Sequence, residues 1–173
     1  MTAKDTVRAA REMLEKVTPL KGDCGRVCGA ACCRPDETGR GGMLLFPGEE
    51  ALYAPWPDWA RLEEAGDFSV DGRAPKLLVC RGECPRAERP LACRLFPLTP
   101  VAREEGAGVD MDVRAWAVCP LMEHGRRGLN PAFVRAAEEA ARLLWEEPAC
   151  RRFIRALTAH LEACPHQSQR QCP

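Results

Sequence analysis

Residues 24–33 read CGRVCGAACC: four thiols within ten residues, the last two adjacent. Eight of the chain's 11 cysteines precede residue 120, and by sequence they fall into two groups of four: Cys24, Cys28, Cys32, Cys33 and Cys80, Cys84, Cys93, Cys119. A single free cysteine is usually a small buried apolar residue, but that account does not extend to four in ten positions. An odd total of 11 suits a closed set of disulfides poorly. The opening stretch, MTAKDTVRAAREMLEKV, has neither the apolar run nor the small-residue cleavage site of a secretory signal. No stretch approaches the ~20 apolar residues needed to span a membrane. The expectation is a cytoplasmic chain, a setting in which clustered cysteines serve metal binding or catalysis rather than disulfides.

Four thiolates complete a tetrahedral zinc site, and four also hold an iron–sulfur cluster. The count therefore suits two four-cysteine sites, or one site with spare thiols. With a zinc–sulfur bond of about 2.3 Å, two sulfurs on one zinc lie within about 4.6 Å of each other. A continuous helix would separate Cys24 from Cys32 by about 12 Å of rise. Either the segment wraps as a loop, or its sulfurs serve more than one metal. Gly22, Gly25 and Gly29 favour the loop. Adjacent side chains point in different directions, so Cys32 and Cys33 suit two neighbouring metals, or one ligand and one core thiol. Arg26, Arg34, Arg81, Arg86, Arg89 and Arg94 flank the groups. Cations so placed lower thiol pKa values; the alternative is that they are ordinary surface arginines.

Composition removes other classes. The charges balance, 25 basic against 25 acidic, which argues against a nucleic-acid binder or an anionic-membrane binder. Leu, Val, Ile and Phe supply only 33 of 173 residues. A domain of this length buries roughly 70% of its unfolded surface, so a thin aliphatic core needs a supplement, and the cysteines are the obvious one. Nucleotide-binding glycine loops, P-loops and HExxH are absent from the sequence, as is a convincing Ser–His–Asp set. The radical S-adenosylmethionine signature fails as well, because its third cysteine would fall at position 31, which is Ala31; the chain is also too short for a full barrel.

The pattern along the chain predicts an α+β fold: a small single domain with much irregular structure organised around the cysteines. An amphipathic helix over residues 5–17 carries Val7, Ala10, Leu14 and Val17 at helical spacing. MLLFP reads as a short strand or extended piece, residues 48–53 as one or two helical turns, and Asp58 as the cap of a short helix through Ala65. KLLVC reads as a strand, RPLACRLFPLTPV as a helical turn running into an extended piece, and GVDMDVRAW as strand. Asn130 followed by Pro131 starts a helix striped by Phe133, Ala137, Ala141 and Leu144, and Pro148 starts its partner, striped by Phe153, Ile154, Leu157 and Leu161. The segments are thus an N-terminal helix (1–21), a cysteine-cluster metal-binding domain (22–120), a helical hairpin packed on it (121–163) and a flexible tail (164–173). Trp56, Trp59 and Trp116 are expected to pack around the core, Cys150 and Cys164 to be core thiols, and Cys172 an exposed one. A second site from His160, Cys164, His166 and Cys172 is the minor alternative to these readings, and His124 is read as a surface residue in preference to a substitute ligand.

The double cysteine Cys32-Cys33, the run RPLACRLFP at 89–97 and LLFPGEE at 44–50 resemble the CxxCxxCC zinc- or iron-chelating domain family, the YkgJ-like cysteine cluster proteins. The resemblance covers roughly residues 22–120. It departs in one respect: the spacing here is C-x3-C-x3-CC rather than two-residue gaps. What it implies is that all eight cysteines are metal ligands, holding zinc or an iron–sulfur cluster such as 4Fe–4S. Family members are often labelled iron–sulfur oxidoreductases, and a similar module in flagellin lysine methylases is implicated in iron–sulfur binding. Three roles follow as expectations: a metal- or cluster-binding protein of redox or metal handling, a cluster-dependent oxidoreductase or protein-modification accessory, and a structural zinc module that presents the hairpin to a protein partner. No nucleic acid or membrane partner is expected.

Overall fold

The chain opens on a helix whose start is written in its first residues. Thr2 accepts a hydrogen bond from the Asp5 amide and the Asp5 carboxylate accepts one from the Thr2 amide, a reciprocal capping box that begins α1 at Ala3–Met13. The helix thus starts and stops earlier than the apolar spacing over 5–17 predicts; Leu14 is still buried, but as its C-cap. The computed structural model describes residues 1–35 and 41–163.

Six short elements follow: a single turn α2 (Gly25–Cys28), a 3-10 turn (Ala31–Cys33), β1 (Gly42–Leu44), a 3-10 turn (Glu49–Leu52), β2 (Ala60–Glu64) and β3 (Lys76–Cys80). The three strands form an antiparallel sheet ordered β1-β3-β2. Residues 60–64 are therefore strand, in the stretch 58–65 that the sequence reads as a capped helix. The stretch has good helix formers but no apolar stripe to bury, and β3 offers it a full ladder from Ala60 opposite Cys80 to Glu64 opposite Lys76. A 3.0 Å ion pair between Lys76 and Glu64 closes the far end.

The second half runs through a 3-10 turn (Arg86–Glu88), α3 (Leu91–Leu95), the β4–β5 hairpin (Leu98–Arg103 with Gly106–Met111), two 3-10 segments (Val113–Ala117 and Pro120–Gly128), α4 (Pro131–Glu146) and α5 (Pro148–Ala163). Strand geometry ends at Met111. Asp112 then accepts from the Arg114 amide and turns the chain, so Val113 to Ala117 is not strand as the alternation predicts. Asn130 caps α4 through the Ala132 amide at 3.1 Å, as its position before Pro131 predicts. The chain is an α+β protein, with short antiparallel strands and a C-terminal helical hairpin.

The core lies where α1 meets α4, α4 meets β5, and α5 meets β4. Val7, Leu14, Leu95, Leu98, Val109, Phe133, Leu144 and Ile154 are buried there. The rings of Phe46 and Phe153 stand 5.0 Å apart and couple the loop after β1 to α5. Cys150 is fully buried, the core thiol expected of it; Cys164, His166 and Cys172 lie outside the described residues. The tryptophans pack less than expected: Trp116 is 46% and Trp56 37% exposed, while half-buried Trp59 donates to Glu88 at 2.8 Å.

One buried charge ties this core together. Glu49 has no exposed surface; its two carboxylate oxygens accept from the Phe46 amide at 3.1 Å and the Leu91 amide at 2.7 Å. Burial pushes its pKa up from the ordinary 4.5 to about 7, against the opposing pull of those two amides and of Arg11 and Arg94. A carboxyl whose folded pKa is raised binds its proton more tightly folded than unfolded. Its contribution is present below the unfolded value and is lost as pH climbs toward the folded one. Between pH 4.5 and above 7, the unfolding free energy of the protein relative to Glu49→Gln is expected to fall by about 3 kcal/mol. Urea unfolding of both proteins across that range checks this, and parallel curves would contradict it.

Candidate metal centre

The first cysteine group folds as a reversal. Cys24 and Cys28 stand one helical turn apart at either end of α2, so both sulfurs lie on one side of it; the Cys28 thiol is 3.8 Å from the Cys24 carbonyl. Gly29 and then Ala30 adopt left-handed backbone, with φ of 61° and 55°. Two consecutive left-handed residues turn the chain back, and the Ala31–Cys33 turn returns alongside. The Arg34 guanidinium donates to the Gly29 carbonyl at 3.0 Å and fastens the reversal. This is a wrapped loop, one of the two arrangements the sulfur geometry leaves open, although Gly25 sits in helix rather than at a left-handed turn.

The second group comes from four places. Cys80 ends β3, Cys84 follows a turn at Gly82, Cys93 is the third residue of α3, and Cys119 follows the 3-10 segment after β5. Gly82 has φ of 95°, and a Cβ on it would stand 3.0 Å from the Cys33 carbonyl. Only a residue without a side chain lets the Cys80–Cys84 turn press against the Cys33 backbone.

All eight cysteines named by the sequence, Cys24, Cys28, Cys32, Cys33, Cys80, Cys84, Cys93 and Cys119, line one chamber of about 110 Å³. Within it they sort by proximity. Cys28 and Cys119 act electrostatically on Cys24, and Cys24 and Cys28 on Cys32. Cys84, Cys80 and Cys33 act on Cys93, and Cys33 and Cys80 on Cys84. By these mutual influences Cys119 goes with Cys24, Cys28 and Cys32, and Cys33 goes with Cys80, Cys84 and Cys93. On this grouping Cys33 and Cys119 exchange places relative to the two sequence groups. The Cys32 and Cys33 sulfurs, 4.0 Å apart, form the seam between the quartets.

As placed, no three His, Cys, Asp or Glu side chains among the described residues converge closely enough to hold one ion. The donor set fits a soft metal in number and kind, and it shares one chamber. Burial raises the pKa of Cys24, Cys84, Cys93 and Cys119, so the proton is retained in the absence of a cation. The adjacent pair differs: a shared hydrogen bond lowers Cys33 to about 6 while raising Cys32, so this pair gives up its first proton easily and its second with difficulty. A bound cation would reverse the whole pattern, because a coordinated thiol is deprotonated outright.

The arginines divide by role. Arg89 is half-buried beside Cys84, Cys33 and Cys93, and it favours their thiolates. Arg94 also lines the chamber, but its guanidinium is taken up elsewhere. Its buried guanidinium donates to the carbonyls of Arg86, Ala87 and Arg89 at 2.9–3.0 Å and pairs with Glu15. It staples the loop between Cys84 and Cys93, a task that the cation count around the cysteines does not reveal. Tyr53 adds a 2.8 Å bond to the Glu88 carbonyl from the other side. His124 is exposed, as expected.

No family model matches the chain, and neither the curated proteins nor the solved structures contain a significant match to it. The cysteine-cluster resemblance rests on the motif residues themselves. The Gly82 contact gives a direct check on the geometry. Gly82→Ala is expected to cost about 1–3 kcal/mol, from forbidden backbone and the collision with Cys33. Gly66→Ala, with nothing within 4 Å of the added carbon, is expected to stay within about 0.5 kcal/mol of wild type. Urea unfolding of the two variants measures the contrast, and equal costs would contradict it.

Proposed function

We propose that this chain is a metal-binding protein that holds an iron–sulfur cluster or zinc through its eight clustered cysteines and serves redox chemistry or metal handling in the cytoplasm. The observation that carries the reading is the convergence of eight thiols from separate segments on one chamber. The proximity pattern supports two four-thiolate centres side by side, with Cys32 contributing to one and Cys33 to the other. Among the described residues no helix is long and apolar enough to cross a membrane, and the balanced charge favours neither nucleic acid nor lipid. When bound, the centre would supply either electron transfer or a tetrahedral cross-link; this chain's own part is to gather the sulfurs and let their protons leave.

A second reading, a cluster-dependent oxidoreductase or protein-modification accessory, draws on a wider groove of about 1010 Å³ beside the chamber. The groove shares Cys32 and Cys119 with it and is lined by Trp116 and Phe96. Such a role needs room for a substrate next to the sulfurs, and the groove provides it.

Metal, iron and acid-labile sulfide analysis of anaerobically purified protein tests the proposal. A brown protein with sulfide identifies a cluster, and a colourless one with stoichiometric zinc identifies the zinc form. Two centres per chain are expected. Cys24→Ser or Cys119→Ser should remove one, Cys80→Ser or Cys93→Ser the other, and a second serine in the same quartet should cost little more. Because burial holds these thiols protonated, affinity should rise with pH, by roughly tenfold per pH unit for each proton released. Reduced material free of iron and zinc would contradict the proposal. Complete metal loss from any single serine variant would contradict two centres.

A further inference from the structure

We infer that Glu49 is a positioning residue for Cys93: its buried carboxylate fixes the single turn of helix that carries this sulfur into the chamber. The inference rests on the metal-binding reading above and adds to it a residue with no contact to a metal.

The helix in question, α3, has only five residues, Leu91–Leu95, and its N-cap is Pro90, which supplies no side-chain hydrogen bond. Isolated helices this short do not hold themselves, since nucleation costs more than so few bonds return. Its first amide, on Leu91, is fully buried in the core. That amide donates to Glu49 Oε1 at 2.7 Å, from 42 residues earlier in the chain. The other oxygen, Oε2, accepts from the Phe46 amide at 3.1 Å, so the carboxylate is itself anchored in the loop after β1. Glu49 is thus a remote cap that bridges two backbone segments and satisfies one donor in each. An apolar side chain would fill the same volume without the cost of a buried carboxyl, but it could not make this bridge. Cys93 is two residues beyond Leu91 on the same turn, so rotation or fraying of that turn moves its sulfur directly. Arg94 holds the loop before the helix, through the Arg86, Ala87 and Arg89 carbonyls, and leaves the Leu91 end to Glu49.

The consequence is specific. Loss of the bridge should release Cys93 and damage the quartet Cys33, Cys80, Cys84, Cys93, while leaving Cys24, Cys28, Cys32 and Cys119 untouched. The full chain loaded with Co(II) reports this through its thiolate-to-metal absorption and its affinity. Glu49→Gln can accept only one of the two bonds with its single oxygen. It is expected to weaken Co(II) binding about 10–100-fold at one centre, the range typical of residues that orient ligands, and to reproduce the spectral change of Cys93→Ser. Combined with Cys93→Ser it should add little; combined with Cys24→Ser the losses should add. Glu49→Asp, too short to span both amides, should act in the same direction and serves if the glutamine variant folds poorly. Thr158→Val, which removes the 2.9 Å bond to the Ala102 amide on the far side of the core, should lower stability and leave the spectrum unchanged. A Glu49→Gln spectrum and affinity equal to wild type would overturn the inference. So would full additivity with Cys93→Ser, or the same spectral change in Thr158→Val. Wild-type protein without a thiolate–Co(II) band would overturn the metal-binding reading, and this inference with it.

Discussion

Segments too short to hold themselves carry the eight thiols, and everything between residues 22 and 120 depends on how they are fixed. α2 is one turn, the Ala31–Cys33 turn is three residues, and α3 is five. α2 and the Ala31–Cys33 turn bury no residue, and α3 buries only Leu91, Arg94 and Leu95. Contacts to backbone amides and carbonyls supplement what burial they have. Glu49 grips the start of α3, Arg94 grips the loop before it, Arg34 closes the α2 reversal, and the bare Gly82 lets the Cys33 backbone lie against the Cys80–Cys84 turn. The helical layer of α1, α4 and α5 with the β4–β5 hairpin supplies the apolar body on which this scaffold rests.

Backbone grips place the cysteine-bearing segments around a common chamber. In the proposed account a cation would hold the gathered sulfurs as thiolates, the form that burial alone disfavours.

Much of this was legible in the sequence. The α4–α5 hairpin showed plainly because its apolar stripes run for four turns and its starts carry Asn130–Pro131 and Pro148. The candidate ligands showed by count alone. What did not show were features that need partners distant in the chain. Residues 60–64 look helical by propensity and become strand because β3 needs a neighbour. Cys33 goes with the second group because the Gly82 turn lies against its backbone, and Cys119 goes with the first because it stands near Cys24 and Cys28. The acidic pair after Phe46-Pro47-Gly48 is visible in the sequence, but nothing local distinguishes buried Glu49 from half-buried Glu50. Nor could charge alone distinguish Arg94, turned toward carbonyls, from Arg89, turned toward thiols.

The central claim is that remote stretches of chain are clamped together by an inorganic centre. Amide hydrogen exchange of oxygen-free, reduced protein before and after chelator treatment tests it most directly. The account requires residues 24–33, 80–93 and those around Cys119 to lose protection together on metal removal, with α4 and α5 little changed. Identical exchange in all of these segments, with and without chelator, would contradict it.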